Sequence, residues 1–142
     1  MTQGQPLDLS LFGNAHVARY EETDGAEGYI WNGAPCLVLT TKGSKSGETR
    51  KHALIYGQDG DTYLIVASMG GAPKHPQWYR NLSANPEVGV QVLGDKFAAT
   101  ARTATPDEKA RLWSTMTDIW PSYDAYQERT ERNIPVVILE RS

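Results

Sequence analysis

The stretch with the sharpest chemical character is "TTKGSKSGETRKH" (residues 40–52), in which Lys42, Lys45, Arg50 and Lys51 stand against a single acid, Glu48. A surplus of three positive charges over ten residues contrasts with a formal charge of -3 for the whole chain. Gly43 and Gly47 let the backbone turn N–H groups inward, and Ser44 and Ser46 add hydroxyl donors, so the set suits a phosphate or a carboxylate. A solvated turn uses the same residue types, and composition alone leaves the two readings level. The spacing is not that of a P-loop.

A second set is "ASMGGAPKHPQWYRNL" (67–82). Gly70 and Gly71 allow a planar ligand to approach the backbone, and a helix opening at Pro76 presents unpaired N–H groups at the positive end of its dipole. Trp78, Tyr79 and Leu82 have spacings of three and four, where aromatic side chains serve the core more often than a site. His75 has no second ligand at metal-binding spacing and reads as a local hydrogen-bonding residue. In the third set, "DIWPSYDAYQERT" (118–130), Tyr123 and Tyr126 could share one side of a helix and donate to a carbonyl or nitro oxygen. Packing beneath a sheet is the better reading of them on pattern alone. No Ser-His-Asp order, Cys-His pair or carboxylate dyad stands out. What remains are binding devices, which suit a protein whose cofactor supplies the difficult chemistry.

The 142 residues suffice for one domain with its own core. The net acidity argues against a generic nucleic-acid binder. A single cysteine, Cys36, excludes an intrachain disulfide and fits a reducing cytoplasm, and His16, His52 and His75 lie too far apart for zinc spacing. No apolar run approaches the roughly 18 residues of a membrane span, and "MTQGQPLDLS" lacks the regions of a signal peptide. The expectation is a cytoplasmic protein, with peripheral contact at the inner face of the plasma membrane left open.

The elements that must position these residues follow from apolar patterning and turn signals. Residues 1–34 predict a frayed start, a short helix near 14–20 and an irregular approach to the first strand. "CLVLTT" (36–41), "RKHALIYG" (50–57) and "TYLIVAS" (62–68) predict strands, with a turn at Asp59-Gly60. A helix from Pro76 to about Ala84 ends at Asn85-Pro86, and "VGVQVLGDKFAATARTA" (88–104) predicts a hairpin turning at Gly94-Asp95. Thr105-Pro106 with Glu108 predicts a capped helix running to about Ile119, followed by a short helix after Pro121 and a closing strand, "IPVVILE". The count is six strands and about three helices.

In this order the three sets resemble the deazaflavin-dependent nitroreductase family, whose members use reduced coenzyme F420 on a split β-barrel related to the FMN-binding pyridoxamine-oxidase-like fold. The resemblance covers about residues 30–140 and is strongest in "LVLTTKGSKSGETR", "VASMGGAPKHPQWYRNLSANPEV" and "IPVVILE". It implies a mainly β (α+β) chain, with helices inserted into a six-stranded antiparallel split β-barrel. Residues 1–30 would be a flexible or helical N-terminal segment and residues 31–142 the deazaflavin-binding domain.

The resemblance also implies a site. Lys45, Ser46 and Arg50 would hold the cofactor's phosphate and acidic tail, with Ser44 and Lys51 beside them. Ala67, Ser68 and Met69 would border the polar edge of the ring, near Trp78, Tyr79 and Asn81. His52, Ala53, Leu54, Ile55, Val66, Gln77 and Arg80 complete the implied cofactor contacts. Tyr123 and Tyr126 would face the substrate pocket over the ring, Tyr123 also touching the cofactor, and with Ser68 they make the implied catalytic group; no metal is implied. Ser44 stands where the family commonly has Arg, and Met69 where Lys is frequent, so two positive charges beside an anionic cofactor are missing.

The expected activity is hydride transfer from C5 of the reduced deazaflavin to a quinone or nitroaromatic acceptor, with a tyrosine donating a hydrogen bond and Ser68 fixing ring or acceptor. The alternatives are an FMN-dependent reductase on the same fold, since one phosphate needs fewer cations, and a non-catalytic cofactor- or lipid-binding protein. A monomer acting on a small molecule, without nucleic acid, is expected.

Overall fold

The computed structural model describes residues 7–142, in which a curved, wholly antiparallel sheet is flanked by four α-helices. The part of the expected frayed start at residues 1–6 lies outside the described residues. Helix α1 (Asn14–Thr23) leads into strands β1 (Ile30–Trp31), β2 (Ala34–Lys42), β3 (Thr49–Ile55), β4 (Gly57–Asp59) and β5 (Thr62–Val66). A single 3-10 turn at Met69–Gly71 precedes α2 (Gln77–Ala84), and the β6 (Glu87–Val92) and β7 (Asp95–Thr103) hairpin follows. Helices α3 (Pro106–Ile119) and α4 (Ser122–Glu128) then lead to β8 (Val136–Arg141). The strand order is β1-β2-β6-β7-β8-β5-β4, with β3 pairing with β2.

The apolar runs form strands because both of their faces are covered. Leu37 and Leu39 of β2 join Val137 and Leu139 of β8 in the core inside the curved sheet, which α2 closes with Trp78 and Leu82. The intervening Cys36 and Val38 turn outward beneath Val17 and Tyr20 of α1. On the far side Val136 and Ile138 pack with Leu112, Met116 and Tyr123 of α3 and α4. Each such aliphatic side chain contributes about 1.5–3 kcal/mol when fully buried. At the start of α3 the Thr105 hydroxyl accepts from Glu108 N–H (3.2 Å) while the Glu108 carboxylate accepts from Thr105 N–H (2.9 Å), a reciprocal cap.

Among the described residues the structure corrects the count of six strands to eight, one addition arising from a local turn and the other from a packing contact distant in sequence. Asn32 and Gly33, with φ of 48° and 85°, form a two-residue hairpin between β1 and β2 where an irregular approach was expected. The expected strand at 50–57 breaks at Tyr56, and β4 leaves β2 to pair with β5. Gly57 is pressed against α3 at that corner: a Cβ there would lie 2.7 Å from Met116 Sδ. The turn after β4 falls on Gly60 and Asp61, one residue later than predicted. Pro76 stands just outside α2 as an extended cap, its carbonyl accepting from Tyr79 and Arg80 N–H at 3.1 and 3.3 Å.

Candidate functional site

β3 pairs only with β2 among the described residues, so its other edge carries unpaired N–H and C=O groups. A cleft of ≈ 550 Å³ borders β3, the Met69–Gly71 turn, the start of α2 and α4. That volume is within the usual range for a small-molecule site. The cleft gathers residues from distant parts of the chain: Lys51, His52, Ala53, Leu54 and Ile55 from β3, and Val66, Ser68 and Met69 from the end of β5 and its turn. Gln77 and Trp78 come from the first turn of α2, and Tyr123 and Tyr126 from α4. The N–H groups of Gln77 and Trp78 precede the first helical hydrogen bonds, so α2 presents its positive end there.

One buried polar group in the cleft wall lacks a partner among the described residues. His52 Nδ1 is buried with no hydrogen-bond partner among the described residues, and burial, aided by the Arg50 guanidinium, holds the imidazole below its ordinary range. A neutral ring keeps one donor and one acceptor for a ligand. Burial pushes the Tyr123 phenol above its ordinary range, so it stays protonated. The Tyr126 hydroxyl accepts from Trp120 Nε1 at 3.3 Å. The Tyr123 and Tyr126 rings meet edge to face, 6.0 Å apart.

Other predicted site residues stand outside this wall. Ser44, Lys45, Ser46 and Arg50 lie in or next to the exposed loop joining β2 to β3, where Arg50 Nη2 pairs with Glu48 Oε2 at 2.9 Å and Lys51 with Glu21 of α1. Exposed pairs of this kind are worth little, and an arriving anion can compete for the cations. The loop closes through Gly43 N–H on Glu48 O (2.7 Å) and Gly47 N–H on Gly43 O (3.0 Å). Ser44 N–H is directed inward, donating to Asn81 Oδ1 at 3.1 Å. Asn81 is 0 % exposed and lies behind the cleft: its Oδ1 also accepts from Gln77 Nε2 (2.9 Å), and its Nδ2 donates to Thr41 Oγ1 (3.2 Å). It is a latch between loop and helix. Ala67 is buried in the inner core, the Tyr79 hydroxyl bonds with Thr103 Oγ1 (2.7 Å), and Arg80 is exposed on α2. His75 Nδ1 lies 3.0 Å from Arg132 Nη1.

Sequence reasoning missed one wall. Phe12, His16 and Trp31 from the N-terminal part and Trp120 after α3 line the cleft. The Trp31 ring lies 6.2 Å from Phe12, 6.4 Å from His16 and 5.8 Å from Trp120, making an aromatic row that ends at Tyr126. The available signals were "IWNG", with its hairpin pair, and the tryptophan of "DIWP" beside the singled-out tyrosines.

Comparison with known proteins gives this geometry a context. Residues 13–141 match the family model described as F420H(2)-dependent quinone reductase. An F420H(2)-dependent quinone reductase of Mycobacterium tuberculosis is 45% identical over 130 residues, covering 89% of this chain and 87% of that protein. A solved structure of an F420-H2 dependent reductase is 41% identical with a TM-score of 0.69, over 75% of this chain and 94% of the other. Another, described as a domain-swapped dimer, is 38% identical with a TM-score of 0.72, over 87% and 93%. A Listeria innocua protein named for pyridoxamine 5'-phosphate oxidase, 16% identical with a TM-score of 0.53 over 75% of this chain and 83% of its own, shares the fold alone.

Proposed function

The chain belongs to the F420H(2)-dependent quinone reductase family, and from that premise we propose that the cleft along β3 is where this F420-dependent reductase holds coenzyme F420 and a quinone. The observation that carries the placement is the buried, unpartnered Nδ1 of His52 in the cleft wall. A polar ring edge would satisfy it, as it would the free edge of β3 and the first amides of α2. When bound, the reduced deazaflavin supplies the hydride that the acceptor takes up.

The chain's own residues then have distinct tasks. Lys45, Ser46, Arg50 and Lys51, with Ser44 beside them, hold the anionic portion at the cleft's outer end. His52, Ala53, Leu54 and Ile55 orient one side of the ring, while Val66, Gln77 and Trp78 close the other and exclude water. Ala67 and Asn81 act from behind, by fixing the turn and the loop, Tyr79 ties α2 to β7, and Arg80 stands on the exposed face of α2. Tyr123 holds its proton at Oη and donates a hydrogen bond to the acceptor oxygen; Tyr126, tied to Trp120, sets the angle between acceptor and ring. The Ser68 hydroxyl fixes the ring edge. Nitroaromatics fit the same donors as incidental substrates. Residues 31–142 form the cofactor-binding unit in this reading, with Phe12 and His16 from residues 1–30 completing its aromatic wall. A monomer in the cytoplasm is proposed; size-exclusion chromatography with light scattering checks the first part.

The test is a fluorescence titration with oxidised and reduced F420 and with FMN, followed by turnover with menadione. Quenching by F420, with menadione-dependent oxidation of the reduced form, is expected. The Tyr123→Phe/Tyr126→Phe variant should keep binding and lose turnover on the order of tenfold or more. Yellow protein that carries FMN and ignores F420 would support an FMN enzyme, and cofactor binding without turnover by wild type would support a binding protein.

A further inference from the structure

The segment between β5 and α2 is gripped from behind by one side chain, Arg132, on the link between α4 and β8. Its Nε donates to Ala72 O at 2.8 Å, Nη1 to Ala67 O at 3.2 Å and to His75 Nδ1 at 3.0 Å, and Nη2 to Ser68 O at 2.8 Å. Burial holds this guanidinium below its ordinary range, and it makes no ion pair among the described residues. Its own carbonyl is held by Gln127 Nε2 of α4 at 2.8 Å, so the clamp is fixed to the helix that carries Tyr123 and Tyr126.

Two carbonyls, those of Ala67 and Ser68, are thereby turned toward a positive charge. Both peptide units are trans, so the N–H of each points opposite to its carbonyl. The N–H groups of Ser68 and Met69 therefore face away from Arg132, toward the side on which both residues line the cleft. Neither meets an acceptor among the described residues, whereas Gly71 and Ala72 N–H close the 3-10 turn on Ser68 O (2.9 Å) and Met69 O (3.1 Å). Met69 is held at φ 47°, a left-handed conformation that a side chain disfavours. It persists because the turn is fixed on several sides: Arg129 Nη1 lies 3.3 Å from Gly70 O, and Gly71 packs directly against the Tyr126 backbone.

We propose that Arg132 is a positioning residue for the reaction: by binding the Ala67 and Ser68 carbonyls it aims and strengthens the Ser68 and Met69 N–H groups as a donor pair for a carbonyl oxygen of the bound cofactor ring. The pair resembles an oxyanion hole in its physics, with preorganised backbone donors whose polarity is raised by a charge behind them. This inference rests on the placement of the cofactor in the β3 cleft. The guanidinium itself touches neither ring nor acceptor; it acts through two peptide units.

The experiment uses Arg132→Ala and Arg132→Lys in the full chain, with amide hydrogen exchange across residues 67–72, F420 titration and menadione turnover. Wild type should gain protection in that segment when F420 binds. R132A should lose that gain and drop in kcat on the order of tenfold, the size of one charge-assisted hydrogen bond. Methylguanidinium should restore part of the loss while sodium chloride at the same ionic strength does not, and R132K should fall between. If R132A fails to fold, R132K carries the same comparison. Wild-type protection and kcat in variants that bind F420 would overturn the proposal, as would losses that only track melting temperature and do not respond to methylguanidinium. Failure of wild type itself to bind F420 would overturn the cofactor placement first, and this inference with it.

Discussion

Replacing Asn81 with Leu, close in volume and unable to hydrogen bond, tests whether the basic loop needs its latch. The substitution removes three hydrogen bonds, to Ser44 N (3.1 Å), Gln77 Nε2 (2.9 Å) and Thr41 Oγ1 (3.2 Å), at a site that is 0 % exposed. At a net value of about 1 kcal/mol each, the stability loss is about 3 kcal/mol. Unfolding entropy near 2.1 cal/mol/K per residue makes each kcal/mol worth roughly 3–4 °C for a chain of this length, so the melting temperature should fall by about 10 °C. The Ser44 bond alone, worth about 1 kcal/mol, should weaken F420 binding roughly fivefold. Because Asn81 does not line the cleft, kcat at saturation should be unchanged. Calorimetry and fluorescence titration measure the two effects separately. An unchanged melting temperature would refute the buried network. A lower melting temperature with wild-type affinity would show that the loop does not depend on Asn81 to hold its ligand.

Gly71→Ala should destabilise the protein by about 2 kcal/mol or more, because φ is +83° and the new Cβ would lie 2.6 Å from the Tyr126 carbonyl oxygen. Gly70→Ala, at φ +64° with open space around it, should cost only about 1–2 kcal/mol, and thermal melts of the two distinguish collision from backbone preference. Acid should expose the Arg102–Glu108 pair. The Arg102 hydrogen bond, then the Thr105 backbone bond, hold the Glu108 carboxyl at about 2 against an ordinary 4.5. A depressed folded pKa gives stability that is present above 4.5 and lost as pH falls toward 2, so Glu108→Gln should flatten melting temperature against pH across that window.

The core strands β2 and β8 were legible because their runs are apolar on both faces. "CLVLTT" and "IPVVILE" must be covered twice, and periodicity then fixes little beyond their existence. The α3 start was legible at residue level because Thr105, Pro106 and Glu108 act within one turn of chain. β1 was missed although Asn32-Gly33 is a strong hairpin signal, since the two-residue strand before it has no pattern of its own. The break at Tyr56 could not be read locally: it depends on Met116 and Ile119, sixty residues away in sequence, leaving no room beside Gly57. The site divides the same way. Basic and tyrosine-bearing stretches announce themselves by composition, whereas the role of Asn81 exists only once the loop and α2 are neighbours, and Arg132 has no motif at all.

The arrangement separates two kinds of recognition by their dielectric setting. Cations of the β2–β3 loop stand in water, where salt screens them and where Glu48 and Glu21 already neutralise Arg50 and Lys51. They can attract and retain an anionic tail, but they cannot fix a ring to a fraction of an ångström. The groups nearest the proposed ring are few and mostly uncharged: His52 held neutral, Tyr123 held protonated, and backbone N–H groups with Arg132 behind them. Out of bulk water these fixed dipoles act with little reorganisation, which hydride transfer between two bound partners requires. Weak purchase at the exposed loop, as with Ser44 in place of a cation, is therefore compatible with an exact ring site, because affinity for the tail and alignment of the ring depend on different residues.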